Sequence, residues 1–231
     1  MMQLKNQYIQ VNDNQSISFG GNQAWFSEKK LSDYGCGLVA VGDILLYLTK
    51  TGRIKKTAAE SVLRRGEIFD KETYMKYLRI LEKKYFYVSR LIRGITGFGL
   101  VIGFNRFSAG QKSALRASWG VPVSRIDDAV RKSLEKDMPV LFSVGANFPW
   151  IFGKKSVMLY EKRGKIYTKK TQTRKHYMTI TGIEQDDMLG ELYQISSWGR
   201  EYYMSRHEYE EYIHHYSIGL LTNILFIREK K

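Results

Sequence analysis

The spacing of apolar residues changes character partway along this chain, and that change limits the folds open to it. Val41, Ile44, Leu45 and Leu48 fall at i, i+3, i+4 and i+7, a single stripe on an α-helix that opens near Cys36. Tyr74, Tyr77, Leu78 and Leu81 repeat the pattern within 70–85, and 57–65 carries a helical pattern too. Ser124, with Asp127 three residues on, predicts a further helix start ahead of Ile126, Val130 and Leu134, and Pro139 closes it. From Pro139 the chain becomes a run of β-type segments: PVLFSV, SVMLYEK, KIYTKK, HYMTITGI, ELYQISS and TNILFIRE. Helices first and strands afterwards predict an α+β fold, with an N-terminal helical part packed on a C-terminal antiparallel sheet. The glycine-rich stretch 94–110 lacks the lysine and hydroxyl of a phosphate-binding loop and reads as a loop with packing glycines.

With 231 residues and no repeat or low-complexity linker, the chain is expected to form one domain over 1–231. A single cysteine excludes an internal disulfide. No apolar run approaches the ~18 residues a spanning helix needs. The start MMQLKNQYIQVNDNQ has neither a basic n-region nor an apolar segment, so a cytoplasmic location is expected. The charge balance is 37 Lys and Arg against 23 Asp and Glu, a net +14, which favours acidic partners. It is densest between Lys154 and Lys175, where nine basic residues face only Glu161 in a segment that reads as a hairpin turning at Arg163-Gly164. No recognisable nucleic-acid module accompanies it, so an acidic peptide or protein is the expected partner rather than a nucleic acid.

The residues able to do chemistry are few. Cys36 stands between Gly35 and Gly37 at a helix start, where unpaired backbone N–H groups and the positive end of the macrodipole favour thiolate over thiol. His176 begins the strand HYMTITGI, where an imidazole at a strand end can face a cleft. Twenty residues on, ISSWG brings Ser196 and Ser197 to another strand end, and either hydroxyl can accept a hydrogen bond from an imidazole. His207, His214 and His215 lie in the acidic helical stretch HEYEEYIHHY without zinc spacing, so no metal and no cofactor is expected.

Taken together, GCG at a helix start, HYMTITGI, SSWGREYYM and the upstream GGNQAWF resemble the blocks of papain-like cysteine peptidases. The similarity is nearest to compact bacterial members like those that cleave bacteriocin leader peptides. The resemblance covers 21–204 and implies a papain-like fold and hydrolysis of a peptide or isopeptide bond through an acyl-thioester. It makes Cys36 the nucleophile, His176 the general base, and Gln23 with the Cys36 N–H the oxyanion donors. Ser196 takes the place of the family's asparagine, with Ser197, Asp186 or Asp187 as other candidates for that position. Trp198 shields the histidine, and Trp198, Trp25, Lys169, Lys170 and Lys175 are expected to meet substrate. Two departures stand out: Leu38 where proline is usual, and thirteen positions between Gln23 and Cys36, so that EKKLSD must loop out. Two other readings fit the same residues: a protein-binding module that keeps the fold without turnover, and acyl transfer to an amine of the transglutaminase type.

Overall fold

The computed structural model describes residues 1–55, 68–145 and 154–230. It is an α+β structure with a large antiparallel sheet. Its residues group into two compact units: Met1–Lys5, Trp119–Ser196 and Glu201–Phe226 form one, and Asn6–Ser118, Ser197–Arg200 and Ile227–Lys231 the other. The chain passes between them several times, which is why no composition shift marks a boundary.

The first unit is built on the sheet. Its strands are β1 (Met2–Gln3), β6 (Val140–Val144), β7 (Val157–Arg163), β8 (Ile166–Thr173), β9 (His176–Asp186), β10 (Gly190–Ser197), β11 (Arg200–Ser205) and β12 (Ile224–Glu229). With β5 (Leu115–Trp119) at one edge, the order is β5-β12-β6-β9-β10-β11-β7-β8, and β1 pairs with the far half of β9, Met2 opposite Ile183. β7 and β8 form the expected hairpin: Arg163 lies opposite Ile166, and Gly164 takes φ +61, a left-handed turn conformation that suits glycine. Helix α5 (Ile126–Glu135) buries the stripe Ile126, Val130 and Leu134 and touches β1, β6 and β9. It begins two residues after Ser124, because Val123–Arg125 forms a 3-10 turn, and Arg125 occupies the cap position without a side-chain bond. Helix α6 (Arg206–Tyr216), the HEYEEYIHHY segment, is capped by Ser205. Its Tyr209 hydroxyl donates to the Ser143 carbonyl at 3.1 Å, and the Tyr209 ring meets Phe142 edge-on.

The second unit is helical around α2 (Cys36–Lys50), in which every residue from Gly37 to Thr49 is buried. A helix apolar on all sides needs partners on all sides. Two of them are α3 (Lys71–Lys84), capped by Asp70, and α4 (Gly97–Gly110). Helix α4 corrects the expectation of a loop at 94–110. Thr96 caps it by accepting from the Gly99 N–H at 3.0 Å, and Leu100, Phe104 and Phe107 make a buried stripe. Its glycine Gly103 has a packing reason: a Cβ there would lie 2.5 Å from the Phe86 ring and 2.6 Å from the Tyr85 carbonyl. A small sheet, β3-β2-β4 (Ile17–Phe19, Gln10–Asn12, Ile68–Asp70), and β5 (Leu115–Trp119) complete the described elements. The helical pattern at 57–65 lies outside the described residues.

Candidate functional site

Cys36 is the first residue of α2 and is half-buried. A short helix, α1 (Lys29–Tyr34), ends two residues before it, so EKKLSD coils into a helical turn rather than looping out. Gly35 serves both helices: its N–H donates to the Leu31 carbonyl at 2.8 Å, and it is the N-cap of α2. A Cβ on Gly35 would sit 2.3 Å from that carbonyl, so only glycine fits the joint. The thiol thus stands at a helix N-terminus with no capping side chain, where the first-turn N–H groups have no partner within the helix.

Gln23 lies in a 3-10 turn, Gln23–Trp25, capped by the Asn22 side chain. Its Nε2 donates to the Ser32 carbonyl at 2.8 Å and approaches that of Asp33 at 3.4 Å. The thirteen-residue gap therefore does not separate Gln23 from Cys36: its amide is tied to the last turn before that residue. Its Oε1 is buried with no hydrogen-bond partner among the described residues. Trp25 packs edge-on against Tyr74, centroids 6.0 Å apart, with the Lys71 ammonium 5.4 Å from its ring.

Sequence reasoning missed Asp43. It lies seven residues after Cys36, on the same stripe of α2 about 10 Å deeper. Its carboxylate is buried with two donors, the Gly21 N–H at 3.0 Å and the Tyr74 hydroxyl at 2.7 Å. Burial without a cation pushes this carboxyl up to about 7, against the pull of those two bonds. The Gly21 peptide carries the tie onward, because its carbonyl accepts from the Gly199 N–H at 2.9 Å, while the Gly199 carbonyl accepts from Phe19 N–H. Gly21 has no room for a side chain, since a Cβ would lie 1.9 Å from the Tyr74 hydroxyl. The Gly21 segment, α2, α3 and the Trp198-Gly199 turn are held as one piece. That turn has positive φ at both residues, 50° for Trp198 and 72° for Gly199, the form that joins hairpin strands of native twist. The signal in the sequence was an acidic residue in the middle of LVAVGDILLYL.

In the sheet unit, His176 opens β9 opposite Val144 and is buried; burial pushes its imidazole down to about 3, so the ring is neutral at physiological pH. Ser196 pairs with Thr179, and Ile195 with Ile180. Side chains alternate along a strand, so His176 shares its face with Met178, Ile180 and Ile195, and Ser196 falls on the opposite face. Asp186 ends β9 ten residues from His176, about 30 Å along the strand, and Asp187 follows it; neither can orient the imidazole. Lys169 and Lys170 are exposed on β8, the end strand of the order, where Lys170 pairs with Glu161 at 3.1 Å. Lys175, with φ 55°, makes the turn immediately before His176. His207 is 3.7 Å from Glu211 on α6, and no group of three metal-ligating side chains occurs among the described residues.

The chain matches no protein-family model, no curated protein and no solved structure.

Proposed function

We propose that the protein is a cysteine hydrolase of papain-like design that cleaves a peptide or isopeptide bond next to acidic residues. The observation that carries this reading is the joint at Gly35. It sets the sole thiol at an uncapped helix start, with the Gln23 amide tied to the turn directly before it. In the proposed reaction the neutral imidazole of His176 takes the Cys36 thiol proton as sulfur attacks the carbonyl carbon. The oxyanion is met by the Cys36 N–H and by the Gln23 amide, which turns an N–H from the Asp33 carbonyl to reach it while the Ser32 carbonyl keeps the other. The imidazolium then protonates the leaving amine, and water, activated by the same ring, hydrolyses the thioester. For the orienting group we propose Ser197 over Ser196, because the β9 and β10 register turns Ser196 away from the His176 face. Ser197→Ala is expected to lower kcat with KM unchanged, and Ser196→Ala to leave kcat near that of the parent.

Iodoacetamide labelling across pH tests the reading, because Cys36 is the only thiol. An apparent pKa below the ordinary ~8.5, raised by His176→Ala, together with peptide hydrolysis lost in Cys36→Ser, is the expected result. An ordinary pKa indifferent to His176 would overturn it. The burial of His176 favours one other reading, a protein-binding module without turnover. Under that reading Cys36→Ser retains peptide binding and the parent releases no product.

A further inference from the structure

The second unit carries an apolar surface that its own core does not use. Ser89 and Gly94 exchange N–H···O bonds of 2.9 and 3.0 Å, which leaves Arg90-Leu91-Ile92-Arg93 as the tip of a tight loop. Leu91 is 93% exposed and Ile92 54%. Helix α4 starts three residues after Gly94. Its inner stripe is buried, yet Phe98 and Ile102, one turn apart, are 53% and 59% exposed, and Arg106 continues that row. Along the sequence the charge here has one sign: from Lys83 to Ile126 the chain holds eight Lys and Arg and no Asp or Glu.

From this combination we infer that the Leu91-Ile92 loop and the Phe98-Ile102 row form a docking surface for an anionic lipid bilayer. Exposed aliphatic and aromatic groups lose contact with water by entering the boundary between headgroups and acyl chains. Arg90, Arg93 and Arg106 keep their guanidinium groups at the depth of lipid phosphates, where each meets opposite charge. A second copy of the chain would bring arginine against arginine, and a nucleic acid offers no apolar phase for Leu91 and Ile92. The inference does not depend on the catalytic reading.

The test sediments the full-length chain with vesicles of phosphatidylcholine alone and of phosphatidylcholine mixed with phosphatidylglycerol. Binding is expected to the mixed vesicles only. Leu91→Ser with Ile92→Ser should weaken it by roughly tenfold or more, and Arg90→Gln with Arg93→Gln should weaken it as well. All four side chains are exposed, and circular dichroism establishes that both variants fold. Equal binding to neutral vesicles would overturn the inference. So would undiminished binding by the serine variant, which would assign attraction to net charge alone. Sedimentation velocity covers the remaining case: a dimer abolished by the serine pair would assign the surface to self-association instead.

Discussion

Asp43 and His176 are both buried ionisable groups, and burial moves them in opposite directions. Asp43 holds its proton up to about pH 7 in the folded chain, whereas an unfolded aspartate releases it near ~3.9. Between those values the folded state binds more protons, so its contribution to stability falls as pH rises, by about 4 kcal/mol over the window. Asparagine keeps an acceptor for the Gly21 N–H and cannot ionise. Asp43→Asn is therefore expected to remove this loss, giving a higher urea midpoint than the parent at pH 8. His176 behaves in the reverse sense. Its folded pKa of about 3 lies below the ~6.5 of an unfolded histidine, so stability is present above pH 6.5 and lost as pH falls toward 3. His176→Gln should flatten that acid limb in urea titrations at pH 4 and 6, with little change at pH 8. Asp43 was readable in outline, as a charge inside an apolar run. What it touches was not, since Gly21 and Tyr74 lie 22 and 31 positions away.

At the scale of elements, glycine content misled the reading of α4. Glycine costs about 1 kcal/mol relative to alanine in a helix interior, and 94–110 has four more glycines after Gly94. The helix forms because its buried stripe and the Thr96 cap outweigh that cost, and because Gly103 lets the backbone of Tyr85 and the ring of Phe86 approach. Gly103→Ala sets the two effects against each other. The propensity gain of about 1 kcal/mol meets a clash with backbone at 2.6 Å that cannot rotate away, and overpacking of this kind costs about 1–3 kcal/mol. A lower melting temperature is expected, whereas a rise would show that the Phe86 segment yields. Elements whose signal is local came through: β6 to β10 follow β-type composition, and Gly164 marks its hairpin. Strand β11 and the three-stranded sheet did not, being short segments that pair with distant residues, as Gln10 does with both Phe19 and Ile68.

For the molecule as a whole, the net charge of +14 and the density of Lys154–Lys175 bear on what it binds. Exposed lysines along β8 have one function independent of any ligand: they discourage another strand from pairing with a sheet edge. The proposed preference for acidic peptides asks more of them. Changing Lys169, Lys170 and Lys175 to Glu should raise KM for an acidic peptide several-fold, roughly the effect of losing three exposed charge contacts, and leave a neutral peptide unaffected. Raising the salt should shrink the difference, as the screening length falls below ~8 Å. An equal response of the two peptides would leave only the edge-protecting function.

What the amino-acid order determined without help is the partition of the chain: helical periodicity before Pro139, strand composition after it, a hairpin at Gly164, and a thiol between glycines at a helix start. These depend on neighbours within a few residues, which sequence displays directly. The tertiary structure decided which residues share a face and which approach closely. It turned Ser196 from the His176 face, set Asp186 at the far end of β9, coiled EKKLSD into α1, and tied Gly21 to Asp43 and Gly199. Register and close packing arise between segments tens to hundreds of residues apart, and no local pattern encodes them.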